Sequence, residues 1–193
     1  MTDDIATTPR RFRHDRLLVM TLPAYEQSIQ LLAAAAETRF APISAIIAIA
    51  NGGLAPASGI AGVLNLPNYR LTAKHNPTDA IYTEATGHVT HDLSTLSAEL
   101  NGHQLSGTVL LVDDICGSGA TFASVLPALD PYLRRDAVVR TVALCRNAGT
   151  SLDPDLWAWT VDDWVCFPWE PTTAAPPAAT IEELPILEQL EPA

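Results

Sequence analysis

The run Val109-Leu-Leu-Val-Asp-Asp-Ile-Cys-Gly-Ser-Gly-Ala-Thr121 concentrates the reactive residue types of this chain. An apolar segment ends in Asp113 and Asp114, and a turn of Cys116, Gly117, Ser118 and Gly119 leads into Ala120 and Thr121. A helix opening there presents unpaired backbone N–H groups and partial positive charge. Gly117 and Gly119 allow the backbone to wrap closely around an anion, and Ser118 and Thr121 add hydroxyl donors. That is the chemistry of a monophosphate site. The two acids suit ribose hydroxyls or a magnesium ion, since both call for hard oxygen partners. The plainer alternative, an acidic turn before a capped helix, does not account for two acids abutting an apolar strand. The two commoner phosphate loops are absent, with no Gly-Lys-Ser/Thr ending and no G-x-G-x-x-G after an early strand.

The elements that must hold this segment alternate between strand and helix. Thr108–Val112 is a buried strand, Asp113–Gly119 a loop and Ala120–Leu133 a helix. Upstream, Leu17–Met20 forms a short edge strand, and a helix begins at Thr21 or Pro23 and ends near Phe40. Ser44–Ala50 is a continuous apolar run without alternation, which predicts a strand covered on both faces. Asn51-Gly52-Gly53 breaks it, Pro56–Leu64 is helical and Tyr69–Ala73 is the next strand. This βαβ order predicts a mostly parallel sheet flanked by helices, an α/β fold with right-handed crossovers. Lys74 to Leu105 is polar and long for a connection, as lids are, with short elements at Val89–Leu93 and Leu96–Leu100. Val138–Cys145 and Trp159–Phe167 complete the strands, and Ile181–Leu190 is patterned as a short amphipathic helix that packs on the body or on a partner. The expected organisation is an N-terminal arm 1–16, a domain 17–170 and a Pro/Ala-rich tail 171–193.

Composition narrows the function classes. Of 193 residues, 48% are apolar and 17% charged, which suits one globular domain. No apolar run reaches the roughly 18 residues of a membrane span. Residues 1–16 lack the apolar core of a secretory signal, so a cytoplasmic protein is expected. A net charge of −11 argues against nucleic acid as partner and favours a small molecule. Cys116, Cys145 and Cys166 form no C-x-x-C pair and read as reduced thiols. Lys74 is the single lysine of the chain. His75, His88, His91 and His103 lie in or beside the long polar segment without metal-ligand spacing, and His75 adjoins Lys74.

Val109–Thr121 resembles the ribose-phosphate signature of type I phosphoribosyltransferases. The resemblance runs from about Leu17 to Glu170. It implies that Asp113 and Asp114 hold the ribose of phosphoribosyl pyrophosphate (PRPP), and that Cys116 through Thr121 hold its 5′-phosphate. Ala50-Asn-Gly-Gly-Leu-Ala-Pro56 is similar to the pyrophosphate loop of that family, which implies pyrophosphate contacts for Asn51, Gly52, Gly53 and, at the next strand end, Lys74. Asp162-Asp-Trp-Val-Cys-Phe-Pro-Trp-Glu170 resembles the C-terminal hood of the xanthine–guanine branch. There the residue matching Trp164 stacks on the purine, and Trp164 and Val165 are implied to be base-binding. Arg146 stands where that branch places a lysine on the purine 6-oxo group. The implied fold has a small hood from the N-terminal segment and the region from about 146–170, and a lid over 75–105. The implied reaction moves ribose 5-phosphate from PRPP to a purine-like base, with Mg2+ as cofactor held near Asp113 and Asp114. The implied assembly is a homodimer or tetramer, for which Ile181, Leu184, Leu187 and Leu190 suit a contact.

Three positions depart from the 6-oxopurine pattern. Gly117 stands where those enzymes carry an acid, Asn51 replaces an arginine, and Arg146 replaces lysine. A neutral Asn51 gives up a charge-assisted contact to pyrophosphate. The planar fork of Arg146 suits two adjacent acceptors or a carboxylate. Two further readings therefore stay open. One is a transferase for an unusual heterocycle. The other is a regulator that senses PRPP or a nucleotide without turnover.

Overall fold

The computed structural model describes residues 12–13, 15–74, 89–170 and 180–190. His75, His88 and the stretch 75–88 of the expected lid lie outside the described residues.

The chain forms β1 (Arg16–Val19), α1 (Leu22–Phe40), β2 (Ile43–Ala50), α2 (Leu54–Leu64), β3 (Asn68–Lys74), β4 (Thr90–Asp92), α3 (Ser94–Leu100), β5 (Thr108–Cys116), α4 (Ala120–Ala128), β6 (Val138–Asn147), β7 (Leu156–Val161), β8 (Trp164–Cys166) and β9 (Thr180–Glu183). Six strands make the central sheet in the order β4-β3-β2-β5-β6-β7. All pairs in it are parallel except β3 with β4. The α/β fold expected from the alternating elements is therefore the fold observed.

The sheet is covered on both faces, which explains why its strands are continuously apolar. In β2, Ile46 and Ala48 join α1 and α2 residues such as Leu32 and Ile60 in one buried cluster. Ile47 and Ile49 join Leu96, Leu100, Phe122 and Val125, from α3 and α4, in the other. In β5 the same alternation assigns Leu110 and Val112 to the first cluster and Val109 and Leu111 to the second. α1 starts where expected because the Thr21 hydroxyl accepts the Ala24 N–H at 3.3 Å and Pro23 occupies the first turn. α4 stops at Ala128, short of the expected Leu133. Pro127 lies in its last turn, and Asp130–Tyr132 continues as a 3-10 turn.

A second sheet of three strands, in the order β8-β1-β9, forms the hood. Three sequence expectations change here. Leu17–Met20 was expected at an edge, yet β1 is the central strand, parallel to both neighbours. The single strand expected over Trp159–Phe167 divides into β7 of the main sheet and β8 of the hood. Asp162 and Asp163 turn the chain between them. Asp163 is buried at 1% exposure and accepts the N–H groups of Asp15, Arg16 and Trp164, which fixes the turn onto β1. Residues 180–183, expected to open a helix, form β9 instead, because the free edge of β1 offers backbone partners that a short isolated helix lacks. Leu184 then buries in the core, with Leu187 and Leu190 packed against it. Packing on the body is thus what the segment does through these three leucines, Leu187 and Leu190 remaining partly exposed, while Ile181 stays 67% exposed.

Candidate functional site

The C-terminal ends of the parallel strands carry the candidate site, where open α/β sheets place their ligands. β5 extends further than expected. Asp113 and Asp114 lie within the strand rather than in a loop, and pairing with β6 continues through Ile115 opposite Cys145 and Cys116 opposite Arg146. Successive residues of a strand face opposite sides. Asp113 lines the concavity at the head of α4 together with Ile115, Cys116, Gly117, Ser118, Gly119, Thr121 and Phe122. Asp114 falls on the side of α2. A Cβ atom added to Gly52 would stand 2.0 Å from its Oδ2, so the carboxylate rests directly on the Gly52 backbone. The two acids thus connect two loops, one on each side of the sheet. Each also accepts a backbone N–H: Asp114 donates to Asp113 Oδ1 at 3.0 Å, and Ile115 donates to Asp114 Oδ1 at 2.6 Å.

The phosphate-type loop has the form the residue types imply. Gly119 takes the left-handed conformation, φ 86°, that glycine adopts without strain, and Ala120 begins α4. The first N–H groups of α4 have no partner within the helix and face the concavity end. Ser118 is buried, and its hydroxyl accepts from the Ala120 N–H at 3.4 Å.

The residues that support this loop lie outside its motif. After β6, the turn 148–153 runs beside it. Ser151 Oγ donates to the Ser118 carbonyl at 3.0 Å, and Cys116 Sγ donates to the Leu152 carbonyl at 3.2 Å. Leu152 lies so close to Gly119 that an added Cβ there would stand 2.6 Å from Leu152 Cβ. Turn-forming residues in Thr-Ser-Leu-Asp-Pro-Asp mark a turn, but nothing in their spacing points to a loop more than thirty positions earlier. Burial pushes the Cys116 thiol up to about 11 against the lowering contact of the Thr150 hydroxyl. The nearby charges of Asp113 and Asp153 push the same way, and Arg146 opposes them. Burial, with a smaller contribution from the Asp114 charge, raises Cys145 as well.

The other expected site residues occupy three places. Asn51, exposed, and Gly52 and Gly53 form the β2–α2 connection, whose Ala50–Asn51 peptide is cis. Gly53 admits no side chain, since a Cβ would stand 2.4 Å from the Val112 carbonyl oxygen. Lys74 ends β3, its backbone opposite Thr90. Arg146 lies over the Trp157 ring, 5.3 Å from its centroid, and its Nε donates to Asp153. Trp164 and Val165 belong to the hood. Trp164 is partly exposed, with the Phe12 ring centroid 6.0 Å away, and the Val165 side chain is buried in the core beside Leu18. Arg70, which could add charge near pyrophosphate, is paired with Glu99 at 3.3 Å. His91 Nδ1 lies 3.2 Å from the Ser124 hydroxyl, linking β4 to α4.

For a divalent cation, the described residues contain no cluster of three or more His, Cys, Asp or Glu side chains. Because Asp113 and Asp114 face opposite sides of the sheet, either one would give a magnesium ion a single carboxylate, which fits the way magnesium binds phosphate substrates, with phosphate and water completing its shell. No described helix is long and apolar enough to cross a membrane.

Comparison with known proteins bears on the family and the fold. The sequence pattern of the family described as "Phosphoribosyl transferase domain" matches residues 22–175. Among solved structures, the fold is similar to a purine phosphoribosyltransferase from Pyrococcus horikoshii OT3, with 22% identity and a TM-score of 0.64, covering 82% of this chain and 96% of that one. It is similar to a xanthine-guanine-hypoxanthine phosphoribosyltransferase from Helicobacter pylori at 16% identity and a TM-score of 0.64, covering 80% and 94%. A hypothetical protein from Neisseria gonorrhoeae with bound ppGpp shares 24% identity at a TM-score of 0.58, covering 82% and 91%.

Proposed function

We propose, because this chain belongs to the phosphoribosyl transferase domain family, that it transfers ribose 5-phosphate from PRPP to a ring nitrogen of a purine-like base and releases pyrophosphate. The observation that carries this reading is the position of Asp113 and Asp114. They sit between a phosphate-type loop on one face of β5 and the Gly52 backbone on the other. A ligand with phosphate groups at both ends of a ribose matches that arrangement.

In this reading the turn Cys116–Thr121 receives the 5′-phosphate, with backbone N–H groups and the α4 terminus opposing its charge. Asp113 and Asp114 accept the ribose hydroxyls. The Asn51–Gly53 connection and Lys74 hold the pyrophosphate end. Arg146, Trp164 and the backbone of Val165, whose side chain is buried in the core, form the base subsite. A magnesium ion, when bound near Asp113 and Asp114, would offset the charge developing on the leaving pyrophosphate. The protein contributes mainly position: it fixes sugar and base in line and opposes charge with oriented dipoles. The lid expected over 75–105 does not include β4 and α3, which are fixed to the sheet with Leu96 and Leu100 buried in the core; the closure that would keep water from consuming PRPP is proposed for 75–88 alone. A homodimer or tetramer and a cytoplasmic location belong to the same reading.

The decisive experiment measures pyrophosphate release from PRPP and magnesium against guanine, xanthine, hypoxanthine, adenine and non-purine heterocycles, with mass spectrometry of the products. A nucleoside monophosphate product is expected. A variant carrying Asp113→Ala and Asp114→Ala is expected to fold and lose turnover, and full activity in it would sink the assignment.

Gly117 favours a second reading. It lines the concavity and places no carboxylate where 6-oxopurine enzymes carry one. A sensor that binds PRPP or a nucleotide without turnover would need no such acid. Tight PRPP binding with no pyrophosphate release from any base supports this second reading.

A further inference from the structure

Arg146 is held from two directions, by an aromatic ring and by a carboxylate. It lies near the end of β6, in register with Cys116, one residue before the phosphate-type turn. One ring face of Trp157 supports its guanidinium. Its Nε donates to Asp153, while its side chain keeps 22% exposure. Among the described residues, no partner is found on its two terminal nitrogens. Asp153 ends the turn whose Ser151 and Leu152 contact Ser118, Cys116 and Gly119. The group is therefore fixed by its stem, its face and its Nε, and it is fixed relative to the phosphate-type loop.

Asp153 is half exposed, and an ion pair of this kind adds little to stability. Its consequence is orientation. A guanidinium can grip a planar acceptor pair through its side edge or through its two-nitrogen end. With Nε committed to Asp153, only the end remains. That end offers two parallel donors and no acceptor.

We propose that Asp153 is a positioning residue for base selection: by holding Arg146 through Nε, it presents the two terminal nitrogens to a base with two adjacent hydrogen-bond acceptors. This rests on the reading above that Arg146 faces the base. The acceptor pair has two sources, an oxo group beside an unprotonated ring nitrogen or an exocyclic carboxylate. A base presenting an amino group on that edge would face donor against donor and be disfavoured. Absence of a carboxylate at Gly117 is consistent with such a pair, since nothing there requires the ring nitrogen to carry a proton.

The test compares wild type, Asp153→Ala, Asp153→Asn and Arg146→Lys by steady-state kinetics, varying base and PRPP separately. Guanine and hypoxanthine represent the oxo–nitrogen edge, a carboxylated heterocycle the second source, and adenine the disfavoured edge. Whichever of the first two classes is active identifies the source. In Asp153→Ala the base KM is expected to rise about tenfold, as for loss of one charge-assisted contact, with the PRPP KM held within about twofold. Asp153→Asn keeps an acceptor for Nε and is expected to recover most of the loss. Asp153→Gly, which suits a turn and also removes the acceptor for Nε, is expected to match Asp153→Ala and decides the matter if Asp153→Ala does not fold. In the Arg146→Lys background, which has no Nε donor to anchor, removing the Asp153 carboxylate in this way is expected to change the base KM by less than about twofold further. The proposal is overturned by an unchanged base KM in Asp153→Ala, by a parallel rise in PRPP KM, or by preference for adenine. A wild type silent on every base fails the transferase reading and this inference with it; an active wild type with an indifferent Asp153 fails this inference alone.

Discussion

Gly52 and Asp114 show how one missing side chain can set a site. The carboxylate occupies the space where any Cβ at position 52 would be. Gly52→Ala must push Asp114 aside, and because the loop is at the surface the fold can absorb the change. We expect turnover to fall by about 10²-fold or more, with thermal stability near that of wild type; a loss through displacement of a positioned group has this size. Activity assays beside a melting curve separate the two effects. The thiols give a second test at this scale. Burial holds Cys116 at about 11, so its thiol is neutral at pH 8. A raised acid group contributes stability that is complete below the unfolded value of 9.0 and is lost as pH rises toward 11. At pH 8, an alkylating reagent is expected to label Cys166, which is partly exposed, and to spare the buried Cys116 and Cys145 until denaturant is added. Residue types alone made Asp113, Asp114 and the Gly/Ser turn legible, because few other patterns place two acids and a flexible turn after an apolar strand. Leu152 and Asp153 were not legible. Their importance lies in what they touch, and contacts across more than thirty positions leave no mark in local spacing.

At the scale of elements, continuous apolar runs identified β2 and β5 correctly, since strands covered on both faces need no alternation. The same logic ended β5 too early. Acids read as loop residues, yet the ladder with β6 continues to Cys116, because β6 itself runs on and offers backbone partners as far as Arg146. The hood was legible as a segment but not as a sheet. Its strands come from residues 16–19, 164–166 and 180–183, and each has too few residues to announce itself. Asp163 is the joint that sends the chain from one sheet to the other. Its carboxylate accepts three backbone N–H groups while almost fully buried. Asp163→Ala is expected to cost about 2–3 kcal/mol, the range for charged hydrogen bonds lost with their donors left unmet. Urea unfolding followed by far-UV circular dichroism reads this directly, and a change under 0.5 kcal/mol, on the order of an ordinary surface substitution, would show that the turn holds without it.

Across the whole molecule, the last described segment closes the structure. Leu184 is buried among core residues, and the Trp159 indole donates to the Pro185 carbonyl at 3.1 Å. A chain ending at residue 170 loses both, along with β9. We expect it to unfold at lower temperature and to show red-shifted tryptophan emission as Trp159 meets water. An unchanged spectrum and melting temperature would make the segment dispensable. The apolar spacing after the Pro/Ala-rich stretch 171–179 made Leu184, Leu187 and Leu190 legible as packing residues, but not the strand pairing of β9 with β1, since that depends on a partner strand far away in sequence.

Gly119 and Leu152 meet so closely that neither can change size alone. The turn 148–153 and the loop 116–121 are therefore one inherited unit written in two places. A chimera that takes either segment from a relative must take both, and drift in one should be answered by matching drift in the other.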